Sequence, residues 1–163
     1  MKVDENSELL SNIRIVLVQT SHPGNIGATA RAMKNMGLSD LALVNPKIFP
    51  SAEATSRASG ADDILASAQV YSSLQEALAP CELVLGASAR IRHLGWSEVG
   101  PKQGCELAVS AAKKAPVALV FGRENSGLTN EELELCHHLL HIPTNPAFSS
   151  LNVASAVQVL SYE

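Results

Sequence analysis

The sequence predicts an α/β domain in which helices flank a parallel β-sheet. Short apolar runs, glycine-bearing loops and helical segments alternate along the 163-residue chain, an order typical of βαβ units with right-handed crossovers. Two apolar runs, residues 13–18 and 117–121, lack the alternation of a half-exposed strand and predict strands buried on both faces. The composition agrees, because 46% of the residues are hydrophobic but only 4% are aromatic, as expected for a single core filled by aliphatic side chains.

Capping and turn residues define the predicted helices. Asn25 is predicted to cap a helix over residues 26–36 that ends at Gly37. Thr129 and Glu132 have the spacing of a capping box at the start of a short helix. The other predicted helices cover residues 51–68 with a break at 59–60, residues 74–79 capped by Ser73, and residues 102–114. The predicted strands cover residues 13–18, 41–44, 70–71, 83–86, 117–121 and 139–142.

A segment without charge lies near the end of the chain. Residues 135–162 contain no Asp, Glu, Lys or Arg. Pro143 and Pro146 cannot continue a strand, and Ser149 or Ser150 is predicted to cap a helix that follows. A solvated helix normally carries charge on one face, so the predicted helix over residues 151–162 is expected to be buried, within the chain or against a partner.

Three loops are predicted to meet at one edge of the sheet. Residues 87–90, 122–127 and 143–150 are small or polar, and each loop follows a predicted strand. Ligands of parallel α/β sheets bind beyond the carboxyl ends of the strands, so these loops predict a binding site. The sequence contains neither the glycine-rich dinucleotide fingerprint, nor the Walker-type phosphate loop, nor the nucleophile elbow of hydrolases.

The charge distribution leaves two interpretations open. The net charge of −4 argues against a nucleic-acid partner, but residues 11–39 contain Arg14, Arg31 and Lys34 and no carboxylate. A local basic surface of this kind is compatible with RNA. Ordinary solvated faces explain the same pattern, and charge alone does not decide between the two.

The cysteines and histidines predict no metal site and no disulfide. Three widely spaced cysteines fit neither a zinc motif nor a disulfide framework, and they indicate reduced thiols and a cytoplasmic protein. His137, His138 and His141 have no carboxylate at a matching spacing. No apolar run is long enough to cross a bilayer, and the polar residues 1–12 are predicted to be a flexible N-terminus rather than a signal peptide.

Three segments resemble the motifs of the SPOUT methyltransferases. They are NIGATAR at residues 25–31, ALVFGRENSGL at residues 118–128 and IPTNPAFSSLN at residues 142–152. The chain is most similar to the TrmJ branch, which methylates the ribose 2′-hydroxyl of cytidine or uridine at position 32 of the tRNA anticodon loop. The resemblance runs over residues 13–163 and implies a catalytic domain with a Rossmann-like sheet and a deep C-terminal trefoil knot. It also implies a homodimer, and branch members usually continue into a helical extension that this segment does not include.

The resemblance implies a cofactor and site residues. The cofactor is S-adenosyl-L-methionine, which leaves as S-adenosyl-L-homocysteine. Its expected pocket consists of Ala87, Ser88, Ala89, Gly122, Ile142, Ser149, Ser150 and Leu151. The expected catalytic residues are Arg31, Asn25, Glu124, Ser150 and Asn152. The expected contacts to tRNA phosphates are Arg31, Arg90, Arg92 and Arg123, while Trp96 is expected either to stack on a base or to pack in the protein.

Several alternatives remain open at this point. An arginine side chain is a poor base because its pKa is very high, so Arg31 either accepts the hydroxyl proton or only orients the reacting groups. Glu124 could instead pair with Arg123 or with a helix amide. The methylated nucleotide could be the wobble nucleotide, and the protein could be a non-catalytic RNA-binding relative or an unrelated nucleotide-binding domain.

Overall fold

A computed structural model describes residues 5–89 and 96–163, which form one parallel β-sheet with helices on both faces. The sheet has seven strands in the order β3-β2-β1-β6-β4-β7-β5, and every pairing is parallel. The strands are β1 (Ile13–Val18), β2 (Asp40–Val44), β3 (Gln69–Tyr71), β4 (Leu83–Ala87), β5 (Glu98–Val99), β6 (Val117–Phe121) and β7 (His138–Leu140). The fold class predicted from the sequence is therefore confirmed, while the knot stays a prediction.

Helices cover the two faces of the sheet unequally. They are α1 (Glu5–Ser11), α2 (Pro23–Asn35), α3 (Ala52–Ala58), α4 (Asp62–Ser67), α5 (Leu74–Leu78), α6 (Pro101–Ala112), α7 (Asn130–Leu133) and α8 (Val153–Tyr162). Strand β1 contributes Ile15 and Leu17 to a core with α2, α3, α4, α6 and α8. It contributes Val16 and Val18 to a second core with α5 and α7. Burial on both sides explains why this run shows no alternation of polar residues.

Helix α2, which carries the first of the three motifs, begins earlier than predicted. Helix α2 has Pro23 in its first turn and His22 as its N-cap, and no side chain caps it. Asn25 therefore lies inside the helix, and its prediction as the cap is wrong. The physical reason is that proline at the first helical position has a suitable φ and has no N–H to satisfy.

The last helix begins later than predicted. Asn152 is the N-cap of α8, because its Oδ1 accepts hydrogen bonds from the backbone N–H groups of Ala154 at 2.9 Å and Ser155 at 3.4 Å. Ser149 and Ser150 lie in the preceding loop, so their prediction as caps is wrong. Asparagine is as good a capping residue as serine, and local sequence does not decide between candidates two residues apart.

Two short elements were not predicted from the sequence. Strand β5 has two residues and pairs at the edge of the sheet with β7, within a region predicted as a loop. Helix α1 occupies part of the segment predicted as a flexible N-terminus. Its flexibility stays a prediction. Both elements are too short to give a periodic hydrophobic signal.

The charge-free helix α8 is buried on one face. Val153, Ala154, Val157 and Leu160 are buried, and the helix packs against α2. This confirms the predicted burial within the chain. Tyr162 on the same helix is exposed, so coverage by a partner stays a prediction. None of the helices in the described ranges is long and apolar enough to cross a membrane.

Two of the residues predicted to form a basic surface are neutralised by partners. Arg14 is buried, and its Nε donates to Asp40 Oδ2 at 3.0 Å while its Nη1 donates to the carbonyl of Ala77 at 2.9 Å. Lys34 pairs with Asp63 Oδ1 at 3.0 Å. Local sequence patterns do not report these contacts, because each pair joins segments more than 20 residues apart in the chain. These ion pairs favour the interpretation that Arg14 and Lys34 do not form a free basic surface.

Helices α2 and α3 cross at a glycine. A Cβ atom on Gly27 would lie 2.1 Å from the carbonyl oxygen of Ala54 and 2.9 Å from the backbone nitrogen of Ala58. These neighbours are backbone atoms and cannot rotate away. The close crossing places α3 beside the first turns of α2, which carry Asn25, one of the two residues of the first motif expected to act in catalysis or binding.

We expect Gly27→Ala to lower the free energy of unfolding by about 1–3 kcal/mol, because α3 must move away from α2 to admit the methyl group. Urea unfolding measures this change. The matched control is Gly24→Ala in the same helix, where a Cβ would meet only the side chains of Glu53 at 3.3 Å and Arg57 at 3.6 Å. That variant should keep or slightly raise stability, since alanine is the better helix former. Equal destabilisation by both variants would contradict the close crossing.

Candidate active site at the carboxyl edge of the sheet

A cavity of about 240 Å³ lies where the loops after β4, β6 and β7 meet. All eight residues expected to form a cofactor pocket line it, namely Ala87, Ser88, Ala89, Gly122, Ile142, Ser149, Ser150 and Leu151. Residues from three separate loops therefore come together as predicted. Leu140, Ile142 and Val153 supply an apolar part of the wall, and Glu124 supplies a carboxylate.

The loop after β6 is folded by a contact between two glycines. A Cβ on Gly122 would lie 2.1 Å from the carbonyl carbon of Gly127, and Gly127 has a φ of +67°. Two backbone hydrogen bonds then close the loop, from Arg123 N to Gly127 O at 3.1 Å and from Gly127 N to Arg123 O at 2.9 Å. Glycine is required at both positions, at one for close approach and at the other for a left-handed backbone. The result is a compact loop that forms one wall of the cavity.

Arg123 braces this loop against the rest of the protein. Its Nη1 and Nη2 bind the two carboxylate oxygens of Glu132 at 2.8 Å and 3.1 Å, and its Nε donates to Gln19 Oε1 at 3.1 Å. The side chains of Arg123 and Glu132 are only 23% and 15% exposed. These partners leave the Arg123 guanidinium less free to bind an RNA phosphate. Its contact with RNA stays a prediction.

The ion pair changes the pKa of both partners. The hydrogen bonds to Glu132 raise the pKa of Arg123. Burial acts to raise the pKa of Glu132, but hydrogen bonds from Arg123 and from the backbone N–H of Thr129 outweigh it and hold that pKa below its ordinary value. Thr129 and Glu132 also form the predicted capping box, which is confirmed. Glu132 thus joins the cavity loop to the start of α7.

Glu124 is held by the loop that follows β1. The backbone N–H of Ser21 donates to both Glu124 oxygens, at 3.0 Å and 3.1 Å, and the Ser21 hydroxyl donates to Oε2. The alternative that Glu124 pairs with Arg123 is not what the structure shows, since Arg123 pairs with Glu132. Sequence analysis missed Ser21 and Gln19. Both residues follow the carboxyl end of β1, on the same side of the sheet as the cavity loops, and this position could have indicated a role at the site.

Asn25 and Asn152 are brought together although 127 residues separate them in the sequence. Asn152 Nδ2 donates to Asn25 Oδ1 at 2.9 Å and so joins α2 to the start of α8. Asn152 follows Leu151, which lines the cavity. The pair therefore lies beside the cavity rather than in its wall, and it fixes α2 relative to the loop after β7.

The structure does not bring all the predicted residues together. Arg31 is exposed on α2 and is not part of the cavity wall, and its side chain has no hydrogen bond or ion pair with the described residues. Arg90 and Arg92 lie outside the described residues. Trp96 is half-buried against the second core, which favours packing over stacking on a base.

The histidines near β7 have protein partners. His137 Nδ1 accepts from the backbone N–H of Val84 at 2.9 Å, and His138 Nδ1 lies 2.9 Å from Ser97 Oγ. Within residues 5–89 and 96–163, no three His, Cys, Asp or Glu side chains are grouped so that they could hold a metal ion. The prediction that the protein needs no metal stays a prediction.

Residues 12–162 match the model of the SpoU rRNA Methylase family. The chain belongs to this family. Two curated relatives are each 56% identical to it. One is the tRNA (cytidine/uridine-2′-O-)-methyltransferase TrmJ of Photorhabdus laumondii, over 155 residues. The other is the tRNA (cytidine/uridine/adenosine-2′-O-)-methyltransferase TrmJ of Pseudomonas aeruginosa, over 156 residues. Both alignments cover 95% of this chain.

The SpoU-family chain spans less than two thirds of the length of these relatives, 64% of the first and 61% of the second. A solved structure is also similar to most of this chain and also longer than it. A probable methylase family protein from Haemophilus influenzae Rd KW20 superimposes with a TM-score of 0.89 at 52% identity, covering 94% of this chain and 64% of that chain. The family resemblance drawn from the three motifs is therefore confirmed.

In this SpoU-family chain, we expect Glu132→Gln to lower the free energy of unfolding at pH 7 by about 1–3 kcal/mol, because a partly buried charged hydrogen-bond pair is lost. The folded-state pKa of Glu132 lies below its ordinary value of 4.5, so its contribution is present above pH 4.5 and is lost as the pH falls through the lowered pKa. Urea unfolding at pH 7 and pH 3 should therefore show the difference between wild type and variant closing at the lower pH. Glu131→Gln, exposed on the same helix, is the control and should change little. A difference of constant size at both pH values would contradict this role of Glu132.

Proposed function

We propose that the protein is an S-adenosylmethionine-dependent methyltransferase that modifies a ribose 2′-hydroxyl in tRNA. The proposed nucleotide is cytidine or uridine at position 32 of the anticodon loop. The observation that carries the proposal is the single cavity lined by all eight residues expected to hold the cofactor. Membership of the SpoU family and the names of the relatives at 56% identity support the reaction class.

The cavity fits the chemistry of the proposed cofactor. Ala87, Ser88 and Ala89 have short side chains, so an adenine ring could approach the backbone of this loop closely. Ile142 offers an apolar wall for the ring face. Gly122 belongs to the loop after β6, which would lie against the part of S-adenosylmethionine other than its adenine ring. When bound, S-adenosylmethionine supplies an activated methyl group for in-line attack by the hydroxyl.

The side chains around the cavity would orient the ribose. Glu124 is fixed by Ser21 and presents a carboxylate in the cavity wall. Ser150 contributes a hydroxyl to the same wall, and the Asn25–Asn152 pair holds α2 beside it. These groups are proposed to accept and donate hydrogen bonds to the substrate, which limits its motion before attack.

Arg31 is proposed to act from α2 on the tRNA. A guanidinium is a poor base, so we assign Arg31 to holding a phosphate and to stabilising the hydroxyl oxygen as its proton passes to solvent. Arg90 and Arg92 are proposed as further phosphate contacts. Arg123 is less available to RNA than the exposed Arg31, because it binds Glu132 and Gln19.

A homodimer is part of the proposal. Leu151, Val159 and Tyr162 are exposed apolar residues on or beside α8. The helix carries no charge, and this composition favours burial against a second copy of the chain. A tRNA substrate is consistent with a cytoplasmic location.

We expect Arg31→Ala to lower kcat for methyl transfer by at least about 100-fold while leaving the affinity for S-adenosylhomocysteine unchanged. Because Arg31 is exposed and has no partner among the described side chains, the loss would not result from unfolding. The assay uses the complete protein, tritiated S-adenosylmethionine and tRNA, with mass spectrometry to locate the modified nucleotide. Lys113→Ala, at the end of α6 on the opposite edge of the sheet, is the control.

Unchanged kcat in Arg31→Ala would remove Arg31 from the mechanism. A wild-type protein that binds tRNA and S-adenosylmethionine without transferring a methyl group would favour the non-catalytic RNA-binding alternative. Modification at nucleotide 34 rather than 32 would keep the reaction and correct the position.

A further inference from the structure

Phe148 is the most exposed large apolar residue in the described part of the chain, with 84% of its surface accessible. Single exposed apolar side chains are common and indicate nothing by themselves. Phe148 differs in two respects, which are independent of its exposure. Its backbone is firmly held, and it lies at the rim of the cavity.

The turn that carries Phe148 is closed by several hydrogen bonds. The Phe148 N–H donates to the carbonyl of Asn145 at 2.9 Å, and the Ala147 N–H donates to the Asn145 side chain at 3.0 Å. The Thr144 hydroxyl donates to the carbonyl of Ser149 at 2.9 Å, and Pro146 restricts the backbone between them. The ring therefore projects from a fixed base, which reduces the entropy lost when a partner binds it.

The same turn is part of the cavity rim. Thr144 and Ser149, which flank it in sequence, both line the cavity. Phe148 is bonded to Ser149, so its Cα lies about 3.8 Å from that of a cavity-wall residue. A ribose that places its 2′-hydroxyl in the cavity leaves its own base, or that of its neighbour, near the cavity rim. The ring is thus within the reach of one nucleotide.

We propose that Phe148 is a stacking platform for a nucleobase at or next to the methylated ribose. This inference rests on the proposed function. The neighbouring residues favour a base over a second copy of the chain. The loop itself contributes the polar residues Asn145, Ser149 and Ser150 between Phe148 and the exposed Leu151 or near them in sequence, whereas interface cores are more apolar. The exposed Tyr162, which is proposed to contact a second copy, lies at the end of the ten-residue helix α8, about 15 Å from the start of that helix. Phe148 lies in the loop before that start, so the two aromatic residues are far apart along α8.

Stacking on an aromatic ring accepts every base, because each base has a π-face. Phe148 therefore contributes affinity and orientation rather than base discrimination. We expect Phe148→Ala to raise KM for tRNA about 10-fold, and by the same factor for cytidine and uridine targets, with kcat within about twofold of wild type. Phe148→Trp should keep the wild-type KM, and Phe148→Leu, which is apolar but has no ring, should resemble Phe148→Ala.

A second readout reports stacking without turnover. An RNA anticodon hairpin with 2-aminopurine at the target position should lose fluorescence on binding to wild type and to Phe148→Trp, but not to Phe148→Ala. Val70→Ala, which removes an exposed apolar side chain at the β3 edge, is the control and should match wild type in both assays. Affinity for S-adenosylhomocysteine should be unchanged in all variants.

The outcomes separate the two proposals. Quenching that depends on residue 148 without any methyl transfer would support the platform and reject the proposed function. Methyl transfer with unchanged KM in Phe148→Ala would overturn the platform and keep the function. Dissociation of a dimer by Phe148→Ala, seen by sedimentation, would overturn it in favour of contact with a second copy.

Discussion

The contact between Gly122 and Gly127 is the constraint on which the geometry of the site depends. The 2.1 Å that would separate a Gly122 Cβ from the Gly127 carbonyl carbon leaves no room for a side chain, so the loop after β6 closes directly at the strand end. Closure fixes the directions of Arg123 and Glu124. Arg123 binds Glu132 on α7, and Glu124 accepts hydrogen bonds from Ser21 after β1. A cavity wall is thereby tied to two other parts of the sheet edge.

Strands were easier to predict than helix boundaries. The bounds of β1 and β6 were predicted correctly because central parallel strands are continuous apolar runs, a pattern that depends on local sequence alone. The starts of α2 and α8 were each displaced by two or more residues. Pro23 begins α2 without a side-chain cap, and Asn152 competes with Ser149 and Ser150, which are caps of similar strength. Strand β5 exists only through its pairing with β7, which no local pattern reports.

The site was predictable in part, and for a different reason. Resemblance to a family with three ordered motifs supplied the residues that line the cavity, whereas the sequence pattern supplied only the three loops. The resemblance did not indicate that Arg31 lies outside the cavity wall. It also gave no sign of Ser21 and Gln19, whose roles come from hydrogen bonds to residues more than a hundred positions away. The ion pair between Arg14 and Asp40 could not be read from the charge pattern, because Asp40 lies on the neighbouring strand β2.

The most direct test of the account is a calorimetric titration of the protein with S-adenosylmethionine, with NAD as the comparison ligand. The cavity is lined by every residue expected to hold the sulfonium cofactor, and no dinucleotide fingerprint follows the first strand. The account therefore predicts saturable binding of S-adenosylmethionine, one molecule per chain, and no binding of NAD. Binding of NAD without binding of S-adenosylmethionine by the folded protein would contradict it.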